Sequence, residues 1–251
     1  MREKFRRVQI LFIFIFLLVC LPGPLAAATL AEADRLLTEP EVTRAHLLRA
    51  WQLYQELLPA AGPQRQELLP RLARTAYLLG EESEGKARQP YYEKGRDYAQ
   101  QLREEYPQQA AGPYWLALNL AGLADLNRWQ GRKLLPQIIS HLNEAAVLDP
   151  GYDQAGPWRT LGRIYYEAPG PPFSVGNLAE SRRLLEQAVA LAPDNATNHL
   201  YLGETLLRLG DKERAIQELH QVLTAPRHAD TPAGLAADRR RAREILATLV
   251  P

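Results

Sequence analysis

The stretch Trp158-Arg159-Thr160-Leu161-Gly162-Arg163-Ile164-Tyr165 decides how this chain folds. Trp, Leu-Gly and Tyr recur at the spacing W-x₂-L-G-x₂-Y, and Ser181-x₃-Leu185-x₂-Ala188-x₄-Pro193 follows. The pattern then restarts as His199-x₂-Leu202-Gly203-x₂-Leu206, with Ala215-x₃-Leu219-x₂-Val222 and Pro226 behind it. A small residue is needed where two helices cross closely, so Gly162 and Gly203 are expected opposite Ser181 and Ala215. Leu161, Leu185, Leu202 and Leu219 should fill the space between, and each proline should end a second helix.

These offsets are those of a tetratricopeptide repeat (TPR), a helix–turn–helix unit with a standard length of 34 residues. Two copies in tandem predict an all-α, TPR-like α-solenoid. Working back, Tyr114-Trp115-Leu116-Ala117 opens another hairpin that Leu142, Ala145 and Pro150 close. Arg74 and Tyr77 open an earlier one, closed by Ala99, Leu102 and Pro107. The sequence thus divides into about four hairpins, at residues 63–107, 108–150, 151–193 and 194–227 within a repeat region of 63–230. The anchors Arg74, Ala117, Gly162 and Gly203 lie more than 34 residues apart. The excess predicts extended connectors inside the repeats, at Glu81–Pro90, Gly122–Pro136 and Glu167–Gly176, with a tight turn only at Gly210-Asp211.

Residues 29–62 read as N-terminal capping helices. Among them an amphipathic segment from Glu41 to Leu58 places Leu47, Ala50, Trp51, Tyr54, Leu57 and Leu58 on its inner side. Residues 231–251 read as a C-terminal capping helix, with Thr231 as N-cap and Pro232 in its first turn. Residues 1–28 are of a different kind. Arg2, Lys4, Arg6 and Arg7 precede an apolar run from Val8 to Leu21, and Ala26-Ala27-Ala28 follow. This is the form of a secretory signal peptide cut after Ala28, which predicts an exported protein. The run is shorter than the roughly 20 residues of a membrane-spanning helix, although a retained anchor is the alternative. Val19 before Cys20 is not the small residue of a lipid-attachment site, so no lipid anchor is expected.

Removing that segment takes four basic residues and one acid from totals of 30 and 29, leaving a net charge of −2 and no cysteine. Disulfides, thiolate metal sites and a cysteine nucleophile are thereby excluded from the mature chain. The arginine run Arg239, Arg240, Arg241 and Arg243 is read as the solvated face of a cap, and no nucleic-acid partner is expected. His46, His141, His199, His220 and His228 show no metal-ligand spacing. His199 stands where the repeat's first aromatic belongs, which points to packing. Glu81, Glu82 and Glu84 read as an exposed connector. No phosphate loop, nucleophile elbow or dinucleotide fingerprint occurs. Neither enzyme activity nor a cofactor is expected.

A binding surface is what remains. The first helix of each hairpin should line the inner side. In the best repeat Arg159, Arg163 and Tyr166 are spaced i, i+4 and i+7, and two guanidiniums one turn apart can hold a carboxylate. The equivalent positions are Tyr114, Leu118 and Ala121, then Leu200, Glu204 and Leu207. Tyr114, Trp115, Tyr166 and Phe173 would add apolar contact. The alternative is that the two arginines pair with Glu167 and Glu204. The proline-rich segment 168–177 is either a rim around such a site or a clip between helices.

Three landmarks taken together resemble the TRAP transporter T-component (TatT) family over roughly residues 70–225. They are Pro113-Tyr114-Trp115 through Leu120, Gly156-Pro157 through Tyr165 with Ala168–Pro172 and Ser174-Val175-Gly176, and Ala192–Asn195 leading to Asn198–Leu202. The resemblance implies a periplasm-facing helical protein whose partner is the solute-binding protein of a tripartite ATP-independent periplasmic transporter. It also implies a cavity or pore suited to small hydrophobic organic acids, and self-association. The rival reading is a scaffold for a cell-envelope complex with no small-molecule site.

Overall fold

The computed structural model describes residues 29–38, 42–227 and 232–249. The predicted signal peptide, and Thr231 as an N-cap, lie outside the described residues. Among those described there are eleven α-helices and no strand. A short pair, α1 (Leu30–Leu36) and α2 (Arg44–Leu57), precedes four hairpins. These are α3 (Arg65–Glu81) with α4 (Gln89–Glu105), α5 (Ala111–Leu126) with α6 (Arg128–Leu148), α7 (Tyr152–Glu167) with α8 (Leu178–Leu191), and α9 (Ala196–Leu209) with α10 (Lys212–Thr224). The last helix, α11 (Pro232–Leu249), packs on α9 and α10 where the first helix of a fifth hairpin would lie.

The repeat chemistry works as its residue sizes require. In every hairpin the second helix stops two residues before a proline: Pro107, Pro150, Pro193 and Pro226. A Cβ on Gly162 would stand 2.5 Å from Leu185 Cγ, and one on Gly203 would stand 3.0 Å from Leu219 Cγ, so both helix crossings need the missing side chain. Leu161, Leu185, Leu202 and Leu219 are all buried. Ser181 Oγ meets Thr205 Oγ1 at 3.1 Å, a hydrogen bond between hairpins at the position predicted only to be small. Asn177, Asn195 and Asp211 cap the helices that follow them. Gly210, at φ 84°, ends α9 in the left-handed conformation that suits glycine.

Each second helix packs on the next first helix, and the first helices α3, α5, α7, α9 and α11 also touch in sequence. They form one continuous layer. At its centre α5 is buried nearly all round, and Tyr114, Trp115, Leu116, Ala117, Leu118 and Leu120 are core residues. A helix apolar on every side belongs inside a stack rather than along an open groove.

The connectors differ from expectation in one place. The stretch Gly122–Pro136 is not an extended connector: α5 runs on to Leu126 and α6 begins at Arg128, leaving Asn127 between them. The surplus residues lengthen α6 to 21 residues and place Pro136 in its interior. A proline there forfeits one backbone hydrogen bond, so it signals a break only when tertiary packing does not hold the helix together. The first connector contains a single 3₁₀ turn, Gly85–Ala87. The third, 168–177, closes on itself. Gly176 N donates to Pro169 O at 2.8 Å and Asn177 N to Tyr165 O at 2.9 Å, and any side chain at Gly176 would run into the Ala168 carbonyl.

Candidate functional site

The inner layer of first helices carries most of the residues singled out above, and its two halves are built differently. In the C-terminal half, α7 begins with a turn in the wrong hand. Asp153, Gln154 and Ala155 have φ of 49°, 56° and 64°. Left-handed helical backbone costs a non-glycine residue about 1–2 kcal/mol. Arg159, from the first right-handed turn, reaches back to hold this segment. Its guanidinium donates to the carbonyls of Asp153 (3.3 Å) and Gln154 (3.1 Å) and to the Asp153 carboxylate (3.2 Å). It also reaches Asn198 Oδ1 at 3.3 Å on α9 and Tyr114 OH at 3.4 Å on α5. Tyr114 in turn donates to Asp153 Oδ2 at 2.7 Å. Asn195 Nδ2 adds a bond to Gln154 Oε1 at 3.0 Å.

This overturns the expected pair of guanidiniums open to a carboxylate. Arg159 is only 4% exposed, and its donors serve its own protein. Tyr114 is equally a buried strut rather than a groove wall. Helical spacing places both arginines on one side of α7, but nothing in that spacing announces a left-handed turn that needs the nearest guanidinium.

Arg163 follows the alternative reading. It pairs with Glu167 and with Glu204, both at 2.6 Å. Its guanidinium lies 4.8 Å from the ring centre of Tyr166 and 4.5 Å from that of Tyr201. Arg208 stacks on Tyr166 at 4.6 Å and donates to its carbonyl at 2.7 Å. Glu204, nearly buried, also accepts from Arg241 Nε at 3.2 Å. Arg163, Tyr166, Tyr201, Arg208 and Arg241 thus form a layered cation–aromatic strip across α7, α9 and α11. Its outer members, Arg208 and Arg241, are exposed.

Predicted for packing, His199 is buried with both ring nitrogens engaged. Nδ1 stands 2.6 Å from Glu218 Oε2, and Nε2 stands 2.8 Å from Pro193 O. Two acceptors favour the doubly protonated ring. Burial pulls its pKa down from 6.5, but the Glu218 carboxylate and the Pro193 carbonyl outweigh this, and the net shift is upward.

The N-terminal half holds a cleft of about 380 Å³. Asp34, Leu37 and Thr38 close one side, and Tyr54 and the α3 residues Pro70, Arg71 and Arg74 form another. Trp115 and Tyr152 make its far wall. Of the predicted site residues, Trp115 alone faces this cleft. Its indole donates to Tyr152 OH at 2.9 Å, and Tyr152, its pKa pushed up by burial to about 12, stays protonated. Sequence reasoning does not single out Arg71, Arg74 and Tyr54 as site residues. Their signal, Arg-x-x-Arg on the helix that opens the first hairpin, lies in the repeat with the weakest consensus.

Phe173 is apart from all of these. It is 79% exposed at the tip of the 168–177 connector. With Ser174 and Val175 it borders a groove against Leu135, Pro136 and Ile139 of α6 and Tyr165 of α7. Among the described residues no cluster of three metal-ligating side chains occurs, and no helix is long and apolar enough to cross a membrane.

Comparison with known proteins agrees with this architecture. A thermophilic TPR protein from Thermus thermophilus superimposes with a TM-score of 0.65 at 22% identity, over 87% of this chain and 97% of its own. MamA is a more distant likeness, with a TM-score of 0.46 at 18% identity over 72% of this chain and 90% of its own. No curated protein matches the chain. The family model described as Tetratricopeptide repeat matches residues 173–238. The model described as Regulator of microtubule dynamics protein 1-3 matches residues 29–170, more than half of the sequence. A TPR-type helical repeat scaffold running from the N-terminal pair to α11, this chain belongs to the regulator of microtubule dynamics protein 1-3 family.

Proposed function

We propose that this chain is a non-catalytic periplasmic scaffold that binds the solute-binding protein of a TRAP-type transporter and takes a small hydrophobic organic acid into its inner layer. The transporter partner, the location and self-association rest on the sequence resemblance and on the leader-like residues 1–28. The observation that carries the ligand part is the cleft between α1, α3 and α5, where arginines on one face of α3 stand beside Tyr54, Trp115 and Tyr152. An apolar cleft with a few convergent polar groups is the usual form of a small-molecule site. Trp115 keeps its predicted part as a wall. Arg163 and Tyr166 move to the protein contact, together with Tyr201, Arg208 and Arg241, while Arg159 and Tyr114 hold that surface from behind.

A second reading is favoured by the family match. It is a scaffold that assembles a protein complex, either at the cell envelope or, in a family described as regulators of microtubule dynamics, with microtubules, and it has no small-molecule site. Native mass spectrometry of the purified full chain separates the two. A bound small acid, together with a solute-binding protein retained on the immobilised chain, supports the first. An empty protein that instead co-sediments with polymerised tubulin, or retains only other envelope proteins, sinks it. Replacing Arg208 and Tyr166 with alanine should weaken protein capture about ten-fold or more while leaving the fold intact, since tyrosine and arginine side chains are the usual anchors of such contacts.

A further inference from the structure

The cleft already contains a carboxylate. Tyr54 OH donates to Asp34 Oδ1 at 2.6 Å, and Arg71 addresses the same group with two parallel bonds, Nε to Oδ1 at 2.8 Å and Nη2 to Oδ2 at 3.0 Å. This is the fork geometry by which arginine recognises a carboxylic acid. The donors belong to α2 and α3, which are packed into the stack by Leu53, Tyr54, Leu68 and Leu72, all essentially buried. The acceptor belongs to α1, seven residues long, in which Ala33 is the only buried side chain. The recognising groups are therefore anchored more firmly than the group they recognise. Beyond them the cleft continues past Arg74 to Trp115 and Tyr152, with room for an apolar or aromatic body.

We infer that Tyr54 and Arg71 form a carboxylate-recognition site for a hydrophobic monocarboxylate, and that Asp34 on α1 occupies it as an internal surrogate which the ligand must displace. The inference rests on the small-acid reading above and adds to it the groups that hold the carboxylate and the internal carboxylate that the ligand displaces. Displacing Asp34 frees α1 from α3, so occupancy of the cleft is reported to the N-terminal end of the solenoid. Arg74, one helical turn from Arg71, stays beside the entering carboxylate. The phenol of Tyr54 is held protonated by burial and by its bond to Asp34, and so remains a donor.

The test is calorimetric titration of 4-phenylbutyrate, and in parallel decanoate, into the full chain and its Asp34→Ala, Asp34→Asn and Arg71→Ala variants. A chain self-occupied about four-fifths to nine-tenths of the time binds about five- to ten-fold more weakly than one in which the surrogate is missing. Asp34→Ala should therefore gain that factor, Asp34→Asn part of it, and Arg71→Ala should lose binding. Hydrogen exchange of residues 30–37 should speed up when wild type is saturated. Thermal melts check that each variant is folded, and Asp34→Asn, which keeps the acceptor for Tyr54, stands in if the alanine variant unfolds. Binding that is equal in wild type and the Asp34 variants, or saturation without faster exchange in α1, overturns the surrogate role and leaves the small-acid reading standing. No binding of either acid by any variant overturns both.

Discussion

The two halves of the inner layer use the same residue types for opposite ends. In both, an arginine on a first helix meets a carboxylate and a tyrosine hydroxyl: Arg71 with Asp34 and Tyr54, Arg159 with Asp153 and Tyr114. In the first group Arg71 and Asp34 are about one-third exposed and border a cleft, whereas the second group is closed over by α5 and α9. What separates them is the backbone beneath. Around Arg159 the chain makes a left-handed turn whose carbonyls need donors, so the guanidinium is spent on the fold. Arg71 sits in regular helix and gives only one bond to local backbone, to Glu67 O at 2.7 Å. Sequence spacing locates an arginine on a helix face, and the local backbone decides whether it is available to a ligand.

This contrast is open to measurement. Its largest consequence is that Arg159→Ala should lose about 3–5 kcal/mol of stability, the usual result of removing one partner from a buried ion pair. Urea denaturation reads this directly, and a loss below about 1 kcal/mol would show that the left-handed turn does not depend on the guanidinium. Gly162→Ala comes next, at about 1–3 kcal/mol, because the added methyl must push Leu185 aside in a packed crossing. Arg163→Ala should cost only about 0.5–1 kcal/mol, in keeping with a partly exposed pair. Glu204 retains Arg241 in that variant. An equal loss at Arg159 and Arg163 would erase the distinction between the buried half and its exposed margin.

His199 sharpens the comparison through pH. Its folded-state pKa is raised, so its contribution to stability is fully present below pH 6.5 and is lost as pH rises through the folded value. Stability measured from about pH 6 upward should therefore fall in wild type, and that part of the slope should vanish in His199→Gln. The smallest effect is expected at the edge of the stack. Phe173→Ser should change stability by less than about 0.5 kcal/mol, as befits an exposed side chain on a connector closed by backbone bonds.

Much of the fold is legible in the sequence because repeat chemistry is local. Gly162 and Gly203 have to be small, Leu185 and Leu219 have to face them, and the four prolines have to end helices. Each of these requirements follows from residue size or backbone geometry within one hairpin. The 122–136 segment reads wrongly as a connector because proline weakens a helix locally, while the packing of α6 on α5 and α7 keeps it whole. The site is less legible still. Arg159 reads as a ligand donor because three non-glycine residues in left-handed conformation leave no compositional trace. The Arg71 cleft escapes sequence reasoning because its parts come from α1, α2, α3, α5 and α7, far apart along the chain.

By itself, then, the order of residues determined an all-helical stack of hairpins and the residues that pack at their crossings. Those properties depend on helical periodicity and on side-chain volume, both short-range. Only the tertiary structure decided which arginine is buried under a strained turn and which one borders a cleft. That outcome depends on which carbonyls and carboxylates arrive from other helices, and the desolvation and hydrogen bonding they impose act between groups the chain brings together only on folding.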